Sequence, residues 1–95
     1  MKRSIVISSI HFEDPSIRAE MDCHFVVFGT VKPGCDLLED ENRVLLPVKN
    51  SVPTLGIVKS VECLTSGETY IIGFTCPKDL LIDLKEGDVL SALDT

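Results

Sequence analysis

The sequence predicts an all-β fold: a small antiparallel β-barrel of about six to seven strands with Greek-key-like connections. Three observations predict it. Apolar residues alternate with a period of two through several short runs, most cleanly in Tyr70, Ile72, Phe74 and Cys76. Glycine, proline and acidic turn clusters separate these runs at short intervals. No stretch carries a helix-period apolar stripe of useful length.

The first strand is read over Ser4 to Phe12. Its apolar residues run Ile5, Ile7, then Ile10, Phe12, so the alternation changes phase across Ser8-Ser9. A β-bulge at that point re-aims the strand, as barrels do at their rims. Glu13-Asp14-Pro15-Ser16 is turn chemistry, with a proline whose φ is preset. A long second strand is then read from Met21 to Val31. Met21, Cys23, Phe25, Val27 and Val31 keep one phase, which reads as inward, while Asp22, His24, Val26, Phe28 and Thr30 keep the other. The second set turns apolar late, so Val26 and Phe28 lie under another element or form a contact surface.

Gly29, Lys32-Pro33-Gly34 and the acidic run from Asp36 to Glu41 break this pattern. It resumes over Arg43 to Lys49, with Val44, Leu46 and Val48 in one phase and Pro47 marking an edge or irregular strand, because proline cannot donate to a ladder. After the loop Asn50-Ser51-Val52-Pro53, Leu55, Ile57, Val61 and Cys63 alternate along the next strand, with Lys59 the exception. A turn at Thr65-Ser66-Gly67 leads into the run at Tyr70. Pro77 to Leu84 is leucine-rich without a strict period and reads as an irregular crossing, and the turn Glu86-Gly87-Asp88 opens the last strand.

Composition bounds what such a barrel does. A chain of 95 residues predicts one domain, 1–95, burying about two-thirds of its unfolded surface around a single core. Nine basic residues face fifteen acids, a net charge of −6. Nucleic-acid affinity comes chiefly from lysine and arginine on phosphates, so autonomous nucleic-acid binding is not expected. No apolar run is long enough to span a membrane, and Ser8, Ser9, His11, Glu13 and Asp14 interrupt any signal-peptide core, which predicts a cytoplasmic protein without a membrane role.

Cys23, Cys35, Cys63 and Cys76 lack the paired spacing of a zinc or redox motif; each sits in or beside a predicted strand and reads as a small buried hydrophobe. Cys23 and His24 are neighbours on a strand and point to opposite faces, so they do not pair as thiolate and imidazole. No metal, other cofactor or catalytic group is assigned. The candidate binding residues are the late-strand pair Val26 and Phe28 and the acidic cluster Asp36, Glu39, Asp40 and Glu41, which suits a basic partner surface. Gly29, Gly34, Gly67 and Gly87 read as structural turns.

Three segments, in chain order, carry a family resemblance. Phe28-Gly29-Thr30-Val31-Lys32-Pro33-Gly34 resembles the G-x-V-x-x-G turn in the second-domain barrel of elongation-factor-Tu-like translation GTPases. Ser66 to Phe74 looks like that domain's later "aGe-x-v-g-i" strand, and Leu84-Lys85-Glu86-Gly87-Asp88-Val89-Leu90 is similar to its closing "i-x-x-G-D-v-l". The resemblance implies a translation-protein domain 2 type of barrel.

It does not extend to the family's activity. There is no G-x-x-x-x-G-K-[ST] phosphate loop in this sequence. The acidic pair and aromatic that help hold aminoacyl-tRNA in the family fall near Ser8, Ser9 and His11, which do not match. Arg18-Ala19-Glu20-Met21-Asp22 replaces the glycine-rich approach to the second strand, and Leu38-Glu39-Asp40-Glu41-Asn42 replaces the v-G-d turn. The expectation is a non-enzymatic binding module that docks on a protein partner or on its own copy. The alternatives are a translation-linked accessory touching the ribosome or a translation GTPase, and a small enzyme or metal protein built on the cysteines and histidines.

Overall fold

The computed structural model describes residues 2–11, 25–64, 67–76 and 81–93. Six strands form from the alternating runs: β1 (Ser4–His11), β2 (Phe25–Val31), β3 (Arg43–Leu46), β4 (Thr54–Cys63), β5 (Tyr70–Thr75) and β6 (Val89–Ser91). The Glu13–Ser16 turn, the Met21–His24 start of the second predicted strand, Thr65-Ser66 and Pro77–Leu80 lie outside the described residues.

The strands form one antiparallel sheet in the order β3-β4-β5-β2-β1-β6. β3, β4 and β5 meander, and β2 lies beside β5, which is a Greek-key connection. The sheet curls until its ends meet. Leu93 N–H donates to the Arg43 carbonyl at 2.8 Å, although no ladder runs between β3 and β6. The result is an all-β, nearly closed barrel.

The interior is filled from every strand. Ile5 and Ile7 of β1, Phe25 and Val27 of β2, Val44 and Leu46 of β3, Val58 of β4, Ile72 and Phe74 of β5 and Leu90 of β6 form one cluster. Phe25 and Phe74 are directly opposed across β2 and β5, with ring centroids 5.3 Å apart and planes 21° apart, an offset stack. Between β1 and β6, Ser4 and Ser91 face each other, and the hydroxyl of buried Ser4 pairs with that of half-buried Ser91 at 2.7 Å.

Two bulges bend the barrel. The first lies at Ser8, between Ile7 and Ser9, where the alternation changes phase. The second, at Lys59, is a finding of the structure. In β4 the inward residues are Gly56 and Val58, while Leu55 and Ile57 take the other phase, and only beyond the bulge does Val61 pack against the interior. The reason lies in β3. Leu46 occupies the space beside Gly56, where an added Cβ would come within 2.5 Å of its Cδ1, so the inward site on β4 takes the residue with no side chain.

The turns follow the residues. Lys32 to Cys35 closes with Cys35 N–H donating to the Lys32 carbonyl at 3.0 Å, with Pro33 second and Gly34 third at φ +81°, the requirements of a type II turn. Gly67 and Gly87 also take positive φ. Gly29 is different. It is not a turn residue but lies inside β2, where β1 comes so close that a Cβ would sit 2.6 Å from the Val6 carbonyl oxygen. The regular part of the third strand ends at Leu46, and Pro47 to Lys49 continue as an irregular edge joined to 81–83 by Lys49 N–H to Leu81 O at 2.9 Å and Asp83 N–H to Pro47 O at 2.8 Å.

Candidate functional site

The acidic segment is the more obvious candidate, and it is tied to the barrel from below. Leu38, in its middle, is buried in the interior cluster. Asp36 bridges to Arg3 in the parallel sense, and its N–H donates to the Lys2 carbonyl at 2.9 Å. Glu39 meets Arg3 at 3.0 Å, while the same guanidinium donates to the Leu37 carbonyl at 2.9 Å. Glu41 meets Lys59, the bulge residue of β4, at 3.1 Å. The backbone is anchored as well, since Glu41 N–H donates to Val58 O and Val58 N–H to Asn42 O. Asn42 closes the turn from its side chain by accepting from Glu39 N–H at 2.7 Å.

Two of the four predicted acids are therefore engaged within the chain, by partners remote in sequence. Such exposed pairs contribute about 0–1 kcal/mol each. Their larger effect is on the field the loop presents, because Arg3 and Lys59 lie beside two of its carboxylates. Asp40 is exposed at the turn, and Asp36 is half-buried. The structure brings these residues into one loop without making it an open acidic pole.

Val26 and Phe28 behave differently from each other. Val26 is fully buried yet lies outside the interior cluster. It belongs to a row across three strands, Val26, Gly73 and Ser60, whose middle member is also buried. This part of the barrel's outer side is covered, so Val26 does not contribute to a free surface. Phe28 is half-buried and packs on His11 with ring centroids 4.6 Å apart, and the His11 Nε2 lies 3.1 Å from Ser9 Oγ. The Phe28 contact holds the imidazole against β2, and Ser9 ties it to its own strand.

The cysteines divide. Cys76 packs against the interior, and its burial raises the thiol pKa. Cys63, expected to be buried, is exposed: it is the last residue of β4, at the end of the ladder with β5. Cys35 is intermediate, and Cys23 lies outside the described residues. Among the described residues, no three of His, Cys, Asp and Glu stand close enough to hold a metal ion. A shallow groove of about 360 Å³, lined by Thr30, Val31, Gly67, Glu68 and Tyr70, opens at the far end of β2.

The surface that sequence reasoning missed surrounds β3. Six large apolar residues are exposed among those described, and five of them lie on β3 or on a segment joined to it. Leu45, 51% exposed, is directly opposite Leu55 of β4. Val52, 78% exposed, lies in the loop between those strands. Leu81, 70% exposed, accepts a backbone bond from Lys49, and Leu93 donates one to Arg43. Ile57, opposite Arg43, shares the outward phase of Leu55. The available signal was the alternation of Leu55 and Ile57, which does not say which side of the strand faces in.

Compared with known proteins, the chain matches no family model, no curated protein and no solved structure.

Proposed function

We propose that this chain is a non-enzymatic binding module that docks on protein through the outer face around β3, with a cytoplasmic site of action. The observation that carries the reading is the concentration of exposed Leu45, Leu55, Leu81, Leu93 and Val52 in one region of an acidic protein. Scattered apolar side chains on a surface need no explanation; Leu45 and Leu55, exposed and directly opposite each other, do. Burial of apolar surface is the main favourable term in most protein–protein association, while exposed charge chiefly sets encounter and specificity. A net charge of −6 argues against phosphate-driven binding to nucleic acid.

The translation-factor type of barrel remains part of the proposal. What supports it is the order of the three resembling segments and a barrel whose Gly34, Gly67 and Gly87 take positive φ at their turns. Fold likeness alone assigns no activity, and the docking reading does not depend on it.

The test is recovery of tagged protein from its native cells with and without ribonuclease, comparing wild type with Leu45→Glu/Leu55→Glu, followed by rebinding of the purified components. A stoichiometric, nuclease-resistant protein partner, including a second copy of the chain, that rebinds wild type and not the double variant is the expected result. Equal recovery by both overturns the reading. Nuclease-sensitive recovery of ribosomal proteins replaces it with the translation-linked alternative.

A further inference from the structure

We infer that the groove at the far end of β2 is a strand-addition site for an extended peptide segment carrying lysine or arginine. The groove lies at the Tyr70 end of β5, away from the Ile57 and Thr75 row that borders the β3 face, and the inference does not rest on the docking reading above.

The groove exists because β2 outruns its neighbour. Lys32 N–H donates to the Ser4 carbonyl at 3.1 Å, which sets the phase of the β1–β2 ladder: the backbone groups of Thr30 turn toward β1, and those of Gly29 and Val31 turn toward β5. The β2–β5 register stops at Gly29 and Tyr70. One step further, Glu68 would stand opposite Val31, but the chain bends at Gly67 and Glu68, where Gly67 takes φ +79° and its N–H donates to Leu64 O at 2.9 Å. Val31 therefore presents an N–H and a C=O to the groove, and among the described residues neither has a partner.

That pair of groups defines the backbone of the occupant. A donor and an acceptor on the open side of one strand residue are answered together by one residue of another extended chain. A helix spends its own backbone groups internally, and an anion has no donor for the carbonyl.

The side chains define its charge. Thr30, Val31, Gly67, Glu68 and Tyr70 enclose about 360 Å³, near the lower end of the roughly 300–1,000 Å³ of small-ligand sites. This is room for a short stretch of chain. Glu68 is the only charged lining residue, and among the described residues its carboxylate meets no counter-charge, unlike those of Glu39 and Glu41. Tyr70 packs partly against the interior and leaves the rest of its ring to the groove. A carboxylate and an aromatic ring lining one groove suit an ammonium or guanidinium group. The net charge of −6 favours the approach of a basic segment.

NMR titration of the ¹⁵N-labelled protein tests this. The probe is a pool of blocked pentapeptides with lysine or arginine at the centre and valine, threonine, leucine or tyrosine elsewhere. The expected result is that the Val31, Gly67 and Tyr70 amide signals move together, with a Kd on the order of 1 mM or tighter. The same pool with glutamate at the centre binds at least about tenfold more weakly. A pool N-methylated along its backbone keeps its side chains but loses its donors, and it also weakens at least about tenfold. Glu68→Gln weakens the basic pool about fivefold, and Glu68→Lys reverses the preference toward the glutamate pool. Glu68 is exposed at a bend, so the signals of the barrel interior stay in place in both variants and report that they fold.

Val31 and Tyr70 signals that stay still up to about 5 mM of the basic pool overturn the inference. So does binding indifferent to the central charge, to N-methylation or to Glu68→Lys. A pool that moves the Leu45 and Leu55 signals instead overturns it too, while supporting the β3 face as the docking surface.

Discussion

The acidic loop and the β3 face are the two conspicuous surfaces of this barrel, and they are built in opposite ways. The loop is conspicuous in sequence but tied down in structure: Leu38 is buried beneath it, and Glu39 and Glu41 meet Arg3 and Lys59. The β3 face is inconspicuous in sequence, since Leu45, Leu55 and Ile57 belong to ordinary alternating strands, yet it leaves its leucines exposed. A run of like charge is thus partly answered by remote counter-charges that folding brings beside it. The outward leucines around β3 have no such answer among the described residues, because the interior is already filled from the other phase of the same strands.

The largest test of this contrast is Leu38→Ala. Removing a fully buried leucine costs about 2–5 kcal/mol, so chemical denaturation should show a loss near 3 kcal/mol, whereas Leu45→Thr should change stability by no more than about 0.5 kcal/mol. Comparable losses at both positions would erase the contrast.

Next comes the packing beneath the β3 face. Gly56→Ala places a methyl group against buried Leu46 and should cost about 1–3 kcal/mol, measured as a shifted denaturation midpoint at unchanged slope. Gly29→Ala meets the Val6 backbone instead of a side chain, so its cost should lie at the upper end of the same range of about 1–3 kcal/mol. If Gly56→Ala is neutral, Leu46 has another rotamer to adopt and the outward turning of Leu55 needs a different cause.

Smaller effects belong to the loop's charges. Glu39→Gln should cost less than about 1 kcal/mol, and the difference from wild type should shrink by half or more between low salt and 1 M salt. Glu41 is special in holding φ at +71°, a left-handed conformation that costs a non-glycine residue about 1–2 kcal/mol. Glu41→Gly relieves that strain but gives up the Lys59 pair and adds unfolded-state entropy, so its net effect should fall within about 1 kcal/mol of zero. A loss in either variant larger than that of Leu38→Ala would show that these glutamates hold the loop more than Leu38 does.

Much of the barrel was legible in the residues. The Ser8-Ser9 phase change marks the β1 bulge, the Ile72 and Phe74 phase marks the buried side of β5, and the glycines at 34, 67 and 87 mark turns. Leu38 was hidden by the acids around it, because a single apolar residue in a charged run has no period. Val26 carried an apolar signal without saying whether it was covered or free, and only its burial outside the interior cluster separates the two.

What the sequence determined by itself is the local grammar: which runs are extended, where they turn and that they form a β-barrel. What tertiary structure alone decided is which side of each strand faces in. Alternation distinguishes two faces but does not orient them when both carry apolar residues, and in β4 the inward phase is Gly56 and Val58, so its strongest leucine lies on the other side. The orientation was settled by Leu46 across the ladder and by the bulge at Lys59. Packing volume and register depend on residues far apart in the chain, and a period-two pattern records neither.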